Sequence, residues 1–153
     1  MRARYPDVEG VVERGGVRVG YDVYGEAGGP TVVLLTSWAI VHARQWKSQV
    51  PYLARHFRVI TVEGRGNGRA DRPQDDDAYA DEEYVDDVLA VMDATGTDRA
   101  VLVGLSVGAR HALQLAAWHP ERAAGVVAIG TAYPWPVPAD FEVPRSEPEG
   151  WDK

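Results

Sequence analysis

Gly104-Leu105-Ser106-Val107-Gly108 sets one hydroxyl between two glycines, at the seam of two different patterns. The residues before it, "RAVLVGL", form an apolar run of strand type. The residues after it, "SVGARHALQLAAWHP", read as a helix stopped at Pro120. A sharp strand-to-helix turn needs small residues on both sides, because it brings the two backbones close together. The central side chain then stands above the sheet end, beside the free N–H groups of a helix start. A serine held there can attack a carbonyl carbon while Val107 and other backbone N–H groups hold the oxyanion. The same residues also fit a plain strand–helix turn in which Ser106 is only the helix N-cap.

A nucleophilic serine needs a base, and the base needs an orienting acid. The chain offers four histidines. His111 lies five residues past Ser106 on the same predicted helix, ~7.5 Å along its axis and ~140° around it. That direction turns it away from the hydroxyl and suits a packed or surface helix histidine. His119 and His56 each fall at a predicted helix end, where a cation complements the dipole. His42 borders the region that follows the first buried strand; it reads as a loop or helix-start residue, with a place in the pocket lining as the alternative.

Other chemistries find less support. "GRGNGR" (Gly64–Arg69) is not a dinucleotide fingerprint, since Arg69 stands where a glycine is required, and no phosphate-binding Gly-Lys-Ser/Thr motif occurs. Asp75, Asp76 and Asp77 read as a solvated acidic loop rather than a cation site. Trp38 and Trp46 read as core or pocket wall. No cysteine is present, which removes thiol nucleophiles and thiolate metal sites. No metal or other cofactor is called for.

The elements that must position Ser106 follow from the pattern. "VVERGGVRVGYDVYG" predicts two short strands around Gly15-Gly16. "TVVLLT", "FRVITVEG", "RAVLVGL" and "AAGVVAIG" are short apolar strands, suited to burial on both faces of a parallel sheet. Trp46, Val50 and Leu53 predict a helix over Ala43–His56, kinked or started late by Pro51. Val85, Val88, Leu89 and Met92 mark an amphipathic helix that begins with Asp81, Glu82 and Glu83 and ends at Thr95-Gly96. This strand–helix alternation predicts an α/β fold: a mostly parallel sheet with flanking helices and an N-terminal β-hairpin. Residues 1–132 form the core portion. Residues 133–153, with five prolines, read as an irregular segment that opens a lid or forms a tail.

The formal net charge of −7 offers no basic field, so neither nucleic acid nor an anionic membrane is an expected partner. No apolar run approaches the ~20 residues of a membrane span. "MRARYPDVEG" has no signal-peptide core, which makes the cytoplasm the expected location.

The order of these motifs resembles the N-terminal half of the α/β-hydrolase fold. "GYDVYGEAGGPTVVLL" is similar to the family's second strand, turn and third strand. "QWKSQVPYLARHFRVITVEGRGNGRADRP" is similar to the following helix, fourth strand and Asp-x-Arg-Gly-x-Gly-x-Ser loop. "AVLVGLSVGARHALQLAAWHPERAAGVVAIG" resembles the nucleophile elbow, its helix and the sixth strand. The resemblance covers Gly20 to Thr131 and implies a three-layer α/β/α sheet, with Gly104 and Gly108 as the elbow glycines. It implies Ser106 as nucleophile, and an oxyanion hole of the Val107 N–H with that of Ser37 or Trp38. It also puts Trp38 at the mouth of the acyl site.

Three departures qualify it. Thr36-Ser37-Trp38 stands where many members have His-Gly. Glu63 and Ala70 stand where the loop usually has Asp and Ser, and Glu63, Arg65 and Asn67 read as organisers of that loop. The family's acid and histidine follow later strands, and neither is found in this chain. Two expectations follow. One is a serine hydrolase of a small ester or similar acyl substrate, its acid and histidine absent from this chain. The other is a truncated, non-catalytic hydrolase-fold unit acting in binding or assembly. A serine at the elbow disfavours epoxide and haloalkane chemistry, for which the resembling families use Asp there. Haloperoxidase-like and C–C bond hydrolase activities remain open on the same residues. The family's sixth strand is internal, so "GVVAIG" is expected to leave an apolar edge prone to self-association.

Overall fold

The computed structural model describes residues 4–26, 28–38 and 40–131; the predicted irregular segment 133–153 lies outside them. Six strands form one sheet: β1 (Val8–Arg14), β2 (Val17–Tyr24), β3 (Thr31–Leu35), β4 (Arg58–Glu63), β5 (Ala100–Leu105) and β6 (Ala123–Ile129). Their spatial order is β1-β2-β4-β3-β5-β6. β1 and β2 make the predicted hairpin, with Gly15 at φ 57° and Gly16 at φ 78°. Two successive residues at positive φ give the turn whose twist matches the strands. β2 runs antiparallel to β4, and β4, β3, β5 and β6 are mutually parallel.

The period of two in the apolar strands sorts side chains onto two faces. Val33, Leu35, Ile60, Val62 and Leu102 pack under α2 (Asp81–Ala94) and α3 (Val107–Trp118), meeting Val85, Val88, Val91, Met92, Ala112 and Leu115. Val32, Leu34 and Val59 face the other way and pack on Trp46 and Val50. The sheet is thus covered on both sides, as a three-layer α/β/α arrangement requires. The second cover is thin at the β6 end: Val127 and Ile129 remain 47% and 44% exposed.

The long helix predicted over Ala43–His56 is instead two short pieces. A 3-10 segment spans Ala43–Ser48, and α1 covers only Val50–Leu53. Pro51 explains the break. It lacks an N–H and sits in the first turn of α1, where none is needed. His56 therefore closes no long helix; it lies in the turn beyond α1, donating its N–H to Leu53 at 2.9 Å.

Candidate active site

Ser106 is the only non-glycine residue at positive φ among the described residues, at φ 56° and ψ −117°. Its surroundings force that conformation. A side chain at Gly104 would collide with the Gly108 carbonyl, and one at Gly108 would collide with the Thr36 carbonyl. The start of α3 therefore rests directly against the ends of β5 and β3. The Ser106 N–H donates to Ile129 O at 2.9 Å, tying the bend to β6. Ser106 occupies the N-cap position of α3, its carbonyl accepting from the Ala109 N–H at 3.1 Å, but its side chain makes no capping hydrogen bond to the helix.

The loop after β3 approaches this bend from the side. Gln45 organises it. Its amide oxygen accepts from the Ser37 N–H at 2.9 Å and from Trp46 Nε1 at 3.1 Å, while its nitrogen donates to Ser37 Oγ at 2.7 Å. Trp46 Nε1 also reaches Leu35 O, at 3.1 Å. These bonds engage the Ser37 amide. The Trp38 carbonyl accepts from Val41 at 3.0 Å, and the Trp38 ring is 61% exposed.

A cavity of about 230 Å³ lies between this loop and the start of α3. Trp38, Val107, Tyr79, Tyr84, Asp81 and His111 are among its walls. His111 is buried, and its ring stacks on Tyr84 with centroids 4.8 Å apart. Its Nε2 lies 3.2 Å from Asp81 Oδ1. Burial pushes the His111 pKa down, and Asp81 only partly opposes this, so the neutral ring is favoured. Burial alone would raise the Asp81 pKa. Hydrogen bonds from Gln114 (2.9 Å) and Arg110 (2.6 Å), with His111, outweigh it and hold the carboxyl below its usual range. Burial raises the Tyr84 hydroxyl to about 12. His111 is the packed helix histidine expected from its spacing, but its place in the cavity wall was not foreseen.

The other histidines serve the backbone. His42 caps the 3-10 segment, its Nδ1 accepting from Arg44 N at 3.0 Å, and its Nε2 faces Glu63 Oε1 at 3.4 Å. His119 is the C-cap of α3. None of the four hydrogen-bonds the Ser106 hydroxyl.

The loop after β4 is built from charge. Glu63, 2% exposed, accepts from the Arg69 backbone N–H at 2.7 Å and from its Nε at 3.1 Å. Asn67 Oδ1 accepts from the Gly68 N–H at 2.6 Å. Arg65, 1% exposed, donates to both carboxylate oxygens of Asp87, at 2.7 and 2.8 Å. Arg14 adds a third donation to Asp87 at 3.0 Å and reaches Glu83. Glu63, Arg65 and Asn67 thus organise the loop as expected, but Asp87 was missed. A signal existed: Tyr84, Asp87, Val88 and Val91 fall at i, i+3, i+4 and i+7, which puts an acid on the apolar stripe of α2. Asp75, Asp76 and Asp77 are exposed, and Asp75 caps a 3-10 turn over Asp76–Tyr79.

A mostly parallel sheet with a strained serine between its fifth strand and the next helix defines a hydrolase-type α/β protein. The family described as the alpha/beta hydrolase fold matches residues 30–151, and the chain belongs to it. Epoxide hydrolase B of Mycobacterium tuberculosis (strain ATCC 25618 / H37Rv) is 39% identical over 110 residues, 69% of this chain and 30% of that protein. The 2-hydroxymuconate semialdehyde hydrolase of Pseudomonas sp. (strain CF600) is 39% identical over 98 residues, 64% of this chain and 32% of that one. Among solved structures, one described as "Est816 as an N-Acyl homoserine lactone degrading enzyme" superposes with a TM-score of 0.74. It is 38% identical and covers 80% of this chain and 45% of its own. The chain thus spans less than half the length of these relatives. Among the described residues, no helix is long and apolar enough to cross a membrane.

Proposed function

We propose that this chain supplies the nucleophile and the oxyanion hole of a cytoplasmic serine hydrolase acting on a small ester, lactone or similar acyl substrate. The observation that carries this reading is the strained backbone of Ser106, forced by glycine contacts on both sides and rewarded by no side-chain capping bond. Strain of this kind persists where function requires it. Ser106 Oγ attacks the substrate carbonyl carbon. The Val107 N–H, at the start of α3, and the Trp38 N–H stabilise the oxyanion, since the Ser37 N–H is already spent on Gln45. The cavity between Trp38 and His111 takes the acyl group, and Trp38 stands at its mouth.

An elbow serine supports acyl chemistry over the epoxide chemistry of the mycobacterial relative, for which that branch uses an aspartate. The lactone-degrading relative is the better guide to substrate. The proton acceptor and its acid come from polypeptide beyond the described residues, because all four histidines here are engaged elsewhere or point away.

That last point also favours a second reading for the 153-residue chain on its own: a hydrolase-fold unit with the site half built and no turnover. Removing the base of such a triad leaves only oxyanion-hole and binding effects.

One experiment addresses both. The 153-residue chain is assayed against a p-nitrophenyl ester. So is a chimera joining residues 1–131 to the C-terminal part of the lactone-degrading relative. The chain alone is expected to show no turnover above background. The chimera is expected to hydrolyse the ester and to be labelled by a fluorophosphonate at Ser106, with Ser106→Ala lowering its rate by ~10⁴-fold or more. A folded chimera that hydrolyses the ester equally well with alanine at 106 excludes Ser106 as nucleophile. Rapid turnover by the chain alone, lost in Ser106→Ala, excludes the half-built site.

A further inference from the structure

The cavity between the Trp38 loop and the start of α3 divides its walls by chemistry. Trp38, Tyr79 and Tyr84 give it aromatic surface. The two tyrosine hydroxyls are spent on backbone carbonyls: Tyr79 donates to Pro73 O at 3.0 Å and Tyr84 to Arg65 O at 3.4 Å. The charged part of the wall gathers on Asp81. Its Oδ1 accepts from Arg110 Nη2 at 2.6 Å and lies 3.2 Å from His111 Nε2. Its Oδ2 accepts from Gln114 at 2.9 Å. Burial favours the neutral His111 ring, so the charges of Arg110 and Asp81 cancel.

Arg110 is the member of this cluster with donors to spare. A guanidinium carries five N–H groups in one fixed plane. Asp81 engages Nη2. Nε is buried without a hydrogen-bond partner, and Nη1 makes no hydrogen bond among the described residues. The ion pair holds the head in place, and the side chain keeps 21% of its surface exposed in the cavity wall. Arg110 also follows Val107 by three residues. It therefore lies on the same face of α3, ~4.5 Å further along the axis. An acyl group whose carbonyl sits at the Val107 N–H passes Arg110 a few bonds along its chain.

We propose that the cavity selects acyl groups carrying a second, uncharged carbonyl, a ketone or an amide, that accepts from Arg110 a few bonds from the scissile one. The assignment rests on this cavity being the acyl pocket. A carboxylate in the same place fits less well. Asp81 already neutralises Arg110, so a second anion would meet the Asp81 charge at close range, in a chain of net −7. A plain alkyl chain also fits less well, since it covers the spare donors without pairing them. These walls belong to the sheet's own helices and loops, which polypeptide completing the site adds to and does not remake.

Three methyl esters of nearly equal shape test this on the full 153-residue chain, which need not turn them over. Methyl levulinate carries a ketone, methyl pentanoate an alkyl chain and monomethyl succinate a carboxylate. Binding is read by heteronuclear NMR titration, with the Val107 amide and the Trp38 indole marking the cavity. Methyl levulinate is expected to bind about tenfold or more tightly than methyl pentanoate, and more tightly than monomethyl succinate. Arg110→Met is expected to abolish the preference. Arg110→Lys, which keeps a cation for Asp81 but lacks the planar donors, is expected to lower it. Equal binding of levulinate and pentanoate by the wild-type chain overturns the proposal. So does the absence of a shift at Val107 and Trp38 with all three esters. Tighter binding of monomethyl succinate overturns the uncharged class. A preference that survives Arg110→Met, in a variant whose circular dichroism matches the parent's, removes Arg110 as its source. All of these are read without catalysis, so they stand apart from the Ser106→Ala result in the chimera.

Discussion

Two turns leave the same end of the sheet from strands that both flank β3, and they are held by different forces. The elbow after β5 is a matter of contact. Gly104 and Gly108 let backbones touch, and Ser106 takes up the strain. The loop after β4 is a matter of charge. Glu63, Arg65 and Asp87 are almost wholly buried, and each is neutralised by specific partners. A contact-held turn fails when any atom is added. A charge-held turn fails when one partner is removed. The first mechanism sets a hydroxyl with little freedom to move. The second fixes the loop and clamps it to the N-terminal half of α2, which walls the cavity.

The largest expected effect separates these mechanisms. Gly104→Ala adds a methyl into the Gly108 carbonyl, a backbone atom that cannot rotate away. The cost is expected to exceed ~4 kcal/mol, a large part of a domain's total stability. The variant should be insoluble, or melt without cooperativity in calorimetry. A cooperative melt near the parent's would show that the elbow has room. Next comes Asp87→Ala, which strips buried Arg65 of the carboxylate that holds its Nε and Nη2 and leaves it only the more exposed Glu83, at 2.9 Å. Breaking such a pair costs ~3–5 kcal/mol, read from the shift in urea midpoint. Asp87→Ala combined with Arg65→Met should recover much of that loss, because no unpaired charge remains. Failure to recover would mean that the loop depends on the hydrogen bonds themselves, including that from Arg65 to Ala78 O at 2.6 Å.

The same contrast governs what could be read from the sequence. The elbow was legible because contact leaves a signature in residue type: only glycine fits at 104 and 108, and the apolar run switches to a helical period at Ser106. The strands were legible for the same reason, each being a short apolar run between turn residues. The ion pairs were not: the period of α2 marks Asp87 as an acid on its apolar stripe, but Arg65 stands 22 positions away and nothing in the sequence joins the two. The broken helix at Pro51 was half legible: the proline gave the late start, but the early end at Leu53 depends on how the chain turns into β4. The cavity wall was hidden too, since Asp81, Tyr84 and His111 meet only when α2 packs on α3.

A smaller effect isolates the strain itself. A non-glycine residue at φ 56° and ψ −117° carries ~1–3 kcal/mol of backbone strain. Ser106→Gly removes it, although glycine also gains entropy in the unfolded chain. Ser106→Ala removes the hydroxyl and keeps the strain. The glycine variant should therefore be more stable than the alanine variant by ~1 kcal/mol, measured by urea unfolding. Equal stabilities would mean that the bend holds little strain, and would weaken the case that function maintains it.

The smallest effect concerns pH and the joint between α2 and α3, where contact and charge act together. His111 is buried against Tyr84, and its pKa is lowered mainly by burial. The unfolded chain therefore binds a proton at this residue more readily than the folded chain does. Stability tied to His111 is complete above its unfolded pKa of ~6.5 and declines as pH falls from there towards the lower folded value. Asp81, also lowered, acts in a separate window. Its contribution is complete above ~3.9 and is lost as pH drops through its folded value. His111→Gln cannot titrate, so its stability-versus-pH curve should be flatter than the parent's just below pH ~6.5 and keep the acid-side decline. Urea midpoints measured across that range decide it: parallel curves for parent and variant would mean that the buried ring is not what senses the proton.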